Sequence, residues 1–514
     1  MSHLRWLQQR AAQARRVFLA GAIACSVICT GSRPCRADNT IDPNASLLSY
    51  RPPERPRYVR LALEELALLG LGLGQYWLDH ETNSRDWHFN YDWSSFRARL
   101  DGSAYAFDTN FFNTNFLQHP AAGTFYYLTA RSNRLSPLES LAIAFGTSAV
   151  WEFFGEFQEN VSVNDVIVTP VAGMALGETL TQLGAYFLRE CPSTSNQILG
   201  SALAPFTALH DAIDGAERLT VCDGISPSWH RFRLQLQGGE AWSEGRSPYA
   251  VLRTGLETEV INLPGFAQPG SESSTFGDGN ASRLRFGLSF SNVDSFAVSD
   301  LSILTQTVVA GLHHRNNRFE GRGLKQSEAI FGLLVGAEYT LHRFDPRAEP
   351  DRVFLLDLPA FSARYYGGTK SVGWELVLDA GGAFGGADSL LLAQKNSGNY
   401  NPDLTTVAAT QGYNHVIGVK LNPQARLDLG VAQLGVEFRS ERLIGWRALD
   451  ESGRNATTPI GEARRRSLAW ISLGAPRVER LLFSIGRTER ESTLGELRAK
   501  RTELSMNLGF ELAL

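Results

Sequence analysis

Asn507-Leu508-Gly509-Phe510-Glu511-Leu512-Ala513-Leu514 closes the chain, and its alternation decides the fold. Traced back to residue 503, Leu504, Met506, Leu508, Phe510, Leu512 and Leu514 share one face. Glu503, Ser505, Asn507, Gly509, Glu511 and Ala513 share the other. Side chains alternate across a strand, so this segment presents one face suited to lipid and one suited to a polar interior.

The same period of two recurs throughout the second half of the chain. Phe232, Leu234 and Leu236 alternate with Arg233, Gln235 and Gln237, and Leu284, Phe286, Leu288 and Phe290 alternate with Arg285, Gly287 and Ser289. Further strands are predicted at 251–263, 299–313, 327–343, 352–366, 370–385, 413–422, 426–441, 465–474, 479–488 and 499–514, giving twelve with those around 231 and 283. An even set of half-apolar strands is best closed into a barrel, because an open edge in lipid leaves backbone groups unpaired. Polar stretches at 386–412 and 448–465 read as outward loops, with short connections near Asn422 and Pro476. Trp229, Trp242, Tyr249, Tyr365, Tyr366, Trp374, Trp446 and Trp470 fall near strand ends, where interfacial girdles are found.

From 58 to 215 the pattern is helical instead. Leucines recur over Tyr58 to Leu78, and Ser136-Pro137-Leu138-Glu139 combines a capping Ser, a first-turn Pro and a Glu positioned to return the cap, starting a helix that runs to about Gln158. Others are predicted from Pro120 to Arg131 and from Pro170 to Phe187. The fold class is therefore α+β: a helical domain at 58–215 followed by an antiparallel transmembrane β-barrel of about twelve strands at 223–514.

Arg5, Arg10, Arg15 and Arg16 precede the apolar run Val17 to Thr30, the pattern of a signal peptide spanning residues 1–37 and followed by a linker at 38–57. Of five cysteines, Cys191 and Cys222 remain after cleavage and suggest one disulfide in an oxidising compartment. The net charge of −4 and the lack of a basic patch interleaved with aromatics point away from nucleic acid.

Asn507, Gly509, Leu512 and Leu514 resemble the terminal signal by which bacterial outer-membrane barrels are recognised for assembly, with Leu514 where an aromatic is usual. That resemblance implies an outer-membrane location, outer-membrane lipid and the barrel assembly machinery as partners, and helices in the periplasm or the lumen. A second resemblance lies at 108–180. Asn115, His119-Pro120, Gly123, Tyr126-Tyr127, Ala130-Arg131, Ser148, Trp151-Glu152, Glu156, Asp165, Thr169-Pro170, Gly173 and Gly177-Glu178 resemble the bacterial family named domain of unknown function 3943, which implies no activity.

The candidate functional cluster comprises His119, Tyr127, Arg131, Glu152, Glu156, Asp165 and Glu178. Ser148, Glu152, Glu156 and Glu159 fall on one helical face, and Arg131 is expected to pair with Glu152 or Glu156. Three readings follow: a polar network joining packed helices, a site lining a passage, or a hydrolytic or metal-assisted site with His119 as base. No HExxH, paired CxxC or EF-hand loop is present, so neither metal nor cofactor is expected from motifs. The expected function is an outer-membrane barrel plugged or capped by its helices, in transport or structure; an outer-membrane enzyme on lipid or envelope polymer is the alternative. Arg233, Arg253, Arg283 and Arg285 are expected to line the lumen, available to anionic solutes or to the helical acids.

Overall fold

The structure is a computed structural model and describes residues 55–80, 87–189, 193–215, 229–244, 247–277, 281–291, 297–320, 323–343, 351–369, 371–388, 390, 412–445, 460–474 and 479–513. The signal peptide, most of the linker, Cys191, Cys222, Trp446, Pro476 and Leu514 lie outside the described residues. Seven α-helices come first: α1 (Tyr58–His80), α2 (Trp93–Asp101), α3 (His119–Ser132), α4 (Pro137–Val150), α5 (Val163–Arg189), α6 (Thr194–Leu203) and α7 (Pro205–Asp214). Two short parallel strands, β1 (Tyr105–Ala106) and β2 (Val161–Ser162), sit among them. Thirteen strands follow: β3 (Trp229–Ser243), β4 (Tyr249–Ile261), β5 (Gly270–Phe276), β6 (Ala281–Ser291), β7 (Ala297–Glu320), β8 (Gly323–His342), β9 (Asp351–Gly368), β10 (Gly373–Asp388), β11 (Tyr413–Asp428), β12 (Ala432–Gly445), β13 (Ile460–Leu473), β14 (Arg480–Leu494) and β15 (Leu497–Ala513).

All but β5 form a closed antiparallel barrel of twelve strands. Closure is made by β15 on β3, from Ala513 opposite Arg233 to Glu503 opposite Ser243, so the terminal alternation becomes the last seam of the wall. Gly509 is required there, since a Cβ on it would lie 2.0 Å from the Leu236 carbonyl oxygen. Each of the twelve strands read from the sequence corresponds to one barrel strand. One boundary moves: Asn422 and Pro423 lie inside β11, and the turn to β12 falls at 429–431. Pro423, which has no N–H to donate, sits where the pairing of β11 with β12 skips from Leu421–Ser440 to Gln424–Glu437.

Alternation separates the two faces of the wall. Arg231, Arg233, Glu257, Glu259, Arg283 and Arg285 point inward and meet partners on distant strands, as in Arg231 with Glu375 and Arg285 with Glu437. Leu234, Leu236, Leu376, Val436, Phe438, Leu508 and Phe510 point outward and are exposed. The expected aromatic girdle divides likewise. Trp374 and Tyr365 are exposed, whereas Tyr366 packs inward with Phe266 and Trp470 lies beneath the guanidinium groups of Arg233 and Arg426.

The two rims differ. The near rim carries the start of β3 and the end of β15, with connections at 321–322, 369–372 and 429–431, while the far rim carries the long connections at 389–412 and 446–459. At the near rim the segment between β4 and β5 folds into the lumen. Phe266 packs on Trp229 and Tyr366, the Ala267 amide donates to Glu328 (2.7 Å), and Arg315 donates to the Gly265 carbonyl (2.6 Å). β5 results from this, pairing with the extension of β7 beyond the wall.

The sequence reading expects the helices to plug or cap the barrel; the described contacts of α5 with the barrel are with outward-facing residues of the wall. α5 is the helix that meets the wall most, along β4 and β6 to β9. Thr179 of α5 reaches Thr307 of β7 (Oγ–Oγ 3.0 Å), while neighbouring Gln306 points inward to Asp379 (3.1 Å). Leu183 and Tyr186 pack on Phe232 and Val260, which alternate with the inward charges of β3 and β4. Val168, Ala172 and Ala175 pack on Ala337, Tyr339 and Leu356 toward the far rim. The reason is chemical complementarity: the lumen-facing side of each strand is charged, and burying α5 there would strand those charges without water or partners.

α5 descends from far to near rim, and between Val168 and Tyr186 it rises about 27 Å, the thickness of an outer-membrane apolar band. It begins earlier than expected, at Val163, with Pro170 inside the helix. α3 runs parallel to it at close range. A Cβ on Gly123 would lie 1.8 Å from the Thr169 carbonyl oxygen, and one on Gly173 2.4 Å from that of Gly123. α4 returns toward the far rim from the predicted capping box at Ser136 and Glu139, then passes into a π-turn at Trp151–Gly155 instead of continuing to Gln158. α1 is anchored near the near rim, where the Arg57 amide donates to Asn133 (3.1 Å), and at the far rim, where Tyr76 donates to Glu159 (2.6 Å). The outward faces of α1 and α4 expose Leu63, Leu66, Leu71, Leu138 and Phe145.

Candidate functional site

The far ends of α3, α4 and α5 converge on a buried polar pocket. Ser162 precedes α5, and its Oγ accepts from the Asp165 amide (3.3 Å) and donates to Asp165 Oδ2 (2.5 Å), so the S-x-x-D spacing both caps the helix and orients a carboxylate. Asn164 donates to Asp165 Oδ1 (3.0 Å) and accepts from the Asp108 amide (3.0 Å). Asp108 comes from the segment after β1, where Asn115 (2.5 Å) and Asn110 (3.1 Å) donate to its two oxygens. His119, the first residue of α3, places Nε2 3.5 Å from Asp165 Oδ2. Glu152, in the π-turn, accepts from the Ser162 amide (3.0 Å). The barrel contributes at its rim, with Tyr413 Oη 2.9 Å from Asn115 Nδ2 and His415 Nε2 3.2 Å from the Asp108 carbonyl oxygen.

Charge is concentrated here. Burial, with Asp108 adding to it, pushes the Glu152 carboxyl up to about 8 against the hydrogen bond from Ser162. Burial, with Glu152 and Glu159 alongside, also pushes Glu156 well above its ordinary range. For Asp108, burial works toward a raised value, but a hydrogen bond with Asp165 and the facing His119 and His415 imidazoles hold it lower than usual. Arg99 lies behind the acids, yet its guanidinium donates to the main-chain carbonyls of Glu152 (2.8 Å), Glu156 (2.9 Å), Phe157 (2.5 Å) and Glu159.

The predicted cluster does not converge on one point. His119, Asp165 and Glu152 meet in the far pocket, whereas Tyr127, Arg131 and Glu178 form a second network about 20 Å down α5, taking thirteen residues at the helical rise. There Glu178 accepts from Tyr127 (2.8 Å), Arg131 (2.7 and 3.2 Å) and Gln182 (2.7 Å). Arg131 therefore pairs with Glu178 and not with Glu152 or Glu156, because α3 runs parallel to α5 and carries it away from the far rim. Glu156 and Glu159 fall beyond the end of α4, so the single acidic face is broken by the π-turn. The luminal arginines likewise pair with barrel acids and not with helical ones: Arg283 with Glu259 (3.0 Å) and Arg285 with Glu257 (3.3 Å).

Glu178 is wholly buried and saturated with donors, the signature of a structural network. Glu178→Ala is expected to destabilise the helices by about 3–5 kcal/mol, since it removes the acceptor of Tyr127 Oη and of Arg131 Nε and Nη2. Glu178→Gln should retain part of this, and proteolysis of the helical segment in detergent distinguishes them.

Asp108, Asn115, Ser162 and Asn164 complete the far pocket and were not selected from the sequence, apart from Asn115 within the resemblance. Only the S-x-x-D spacing at Ser162 could have signalled one of them. Asp108, Asp165 and His119 each offer one ligand atom, and the three lie within 4.8 Å of one another. Residues 104–207 match the domain of unknown function DUF3943. The DUF3943 segment thus contains every helical residue of both networks except Arg99. No curated protein matches the chain. Among solved structures, in-vitro folded OmpT of Vibrio cholerae is 8% identical over 57% of this chain and 99% of its own, with a TM-score of 0.21. OccK2 (OpdF) of Pseudomonas aeruginosa is 10% identical over 55% and 98%, with a TM-score of 0.18. A porin refined at 1.8 Å is 8% identical over 56% and 100%, with a TM-score of 0.19. The barrel assignment rests on this chain's own strand pairing, not on these likenesses.

Proposed function

We propose that this is an integral outer-membrane protein whose closed barrel anchors the DUF3943 helices in the bilayer, and that its activity resides in the far-rim polar pocket, directed at envelope lipid. The observation that carries the reading is the side of the wall the helices take. They occupy the face that elsewhere presents Leu234, Val436, Phe438 and Leu508 to lipid, and they turn Leu63, Leu66, Leu71 and Phe145 outward in the same manner. α5 is, among the described residues, long and apolar enough to cross a membrane. Short connections at 321–322, 369–372 and 429–431 on the rim carrying the barrel ends support a periplasmic placement of that rim, and the long connections at 389–412 and 446–459 support an external placement of the other. The pocket then lies at the level of the external leaflet, and β15 supplies the pattern read by the assembly machinery.

Solute transport is the weaker reading, because charged pairs bridge opposite walls of the lumen. Arg231 joins β3 to β10, Arg285 joins β6 to β12, and Arg439 joins β12 to β8. An enzyme or binding protein for lipid needs no open lumen. The test places a spin label at Leu66→Cys in full-length protein reconstituted in bilayers, alongside planar-bilayer recording of the unlabelled protein. The proposal expects faster collision with oxygen than with a water-soluble nickel chelate, and no stable conductance. Chelate-accessible labels would remove the bilayer placement, and stepwise conductance would restore transport.

A further inference from the structure

We infer that Asp108, His119 and Asp165 form a divalent-cation site of the type favoured by a mixed nitrogen and oxygen donor set. The three donors come from separate parts of the chain, yet their ligand atoms lie within 4.8 Å of one another. Each is held by partners that orient it. Asn115 and Asn110 donate to Asp108, Ser162 and Asn164 donate to Asp165, and His119 is fixed at the start of α3. Supporting hydrogen bonds of this kind position the ligands of metal centres.

Two further observations point to a cation. Asp108, Asp165 and Glu152 are almost wholly buried, and among the described residues none of them forms an ion pair with Arg or Lys. Arg99 donates through Nη1 and Nη2 to main-chain carbonyls and not to these carboxylates. Buried carboxylates must be neutralised by a proton or a cation, and a divalent ion bound here would take the place of protons. Secondly, Asn115 Oδ1 and Glu152 Oε1 are buried without a hydrogen-bond partner, on the two residues that flank the triad through Asp108 and Ser162. Each is a buried oxygen with capacity to accept a hydrogen bond, which water carried by a bound ion would supply. One imidazole with two carboxylates suits zinc or manganese, whereas magnesium and calcium favour all-oxygen shells. The inference stands on the pocket geometry and is independent of whether the helices lie in lipid.

The test is equilibrium binding of ZnCl2 to full-length, untagged protein purified in detergent after treatment with chelator, in a Cys191→Ser, Cys222→Ser background that removes thiol ligands. One saturable equivalent is expected, weakened about 100-fold or more by Asp165→Asn and by His119→Gln, and little changed by Glu178→Gln. CoCl2 should give visible absorption bands that vanish in the same two variants. Asp108→Asn serves as a third variant if either loses the protease resistance of the helical segment, which reports on the fold of the pocket where barrel gel mobility does not. No saturable equivalent, or binding that survives all three substitutions in folded protein, would overturn the site.

Discussion

Gly173→Leu is expected to separate α3 from α5 and to destabilise the helical layer by at least about 3 kcal/mol, because the side chain would have to occupy the space of the Gly123 main chain, 2.4 Å from its carbonyl oxygen at the first carbon alone. A flexible neighbour can move aside, but a helix backbone cannot without carrying its own packing with it. The barrel should survive, since its strands pair with one another independently of the helices. The expected result is therefore rapid proteolysis of the helical segment with retained heat-sensitive mobility of the barrel. Gly146→Leu is the control, because a Cβ at this exposed position on α4 meets nothing within 4 Å.

Glu259→Ala should produce a comparable loss in the other half of the molecule. This carboxylate is wholly buried and receives Arg231, Arg283 (3.0 Å) and Arg364 (3.3 Å), with the Tyr366 hydroxyl also 3.3 Å away. Its removal leaves guanidinium groups confronting one another around Glu375 and is expected to cost about 3–5 kcal/mol. The midpoint of barrel unfolding in urea, followed by gel mobility, should fall clearly. Glu272→Ala removes a carboxylate that is 57% exposed and leaves Arg315 bonded to the Gly265 carbonyl, so stability in the same assay should change by less than about 1 kcal/mol.

The barrel was legible in the sequence because its constraint is local: each strand must satisfy lipid on one side and a polar interior on the other, which writes a period of two into every segment. The seam at β15 and β3 was legible for the same reason. The position of the helices was less so, since an apolar helix face fits any apolar surface and periodicity does not say which. The deciding clue was nevertheless present in Arg231, Arg233, Glu257 and Glu259, whose alternation makes the lumen hostile to α5 and the outer wall receptive. The loop that folds inward with Phe266 left no periodic trace, because its contacts with Tyr366 and Glu328 are distant in sequence.

The site was half legible. His119, Asp165 and Glu152 stood out as polar residues bordering apolar helices, and the structure brings them together. Asp108 did not stand out, because it belongs to a loop and acquires its role from Asn115, His119 and Asn164, the last of them 56 residues away. Arg131 and Glu178 were grouped with the pocket because sequence spacing gives the face of a helix but not the direction of its neighbour. Asp165 and Glu178 lie thirteen residues apart on α5, and α3, running parallel to it, keeps His119 with the first and Arg131 with the second.

Disulfide trapping between helix and wall tests the central claim most directly. In a Cys191→Ser, Cys222→Ser background, Thr179→Cys with Thr307→Cys should cross-link on mild oxidation in isolated outer membranes, because these side chains meet at 3.0 Å on the outside of the barrel. Thr179→Cys with Gln306→Cys, whose second position faces Asp379 across the lumen, should not. Cross-linking through residue 306 and not 307 would place the helices inside the barrel and contradict the account.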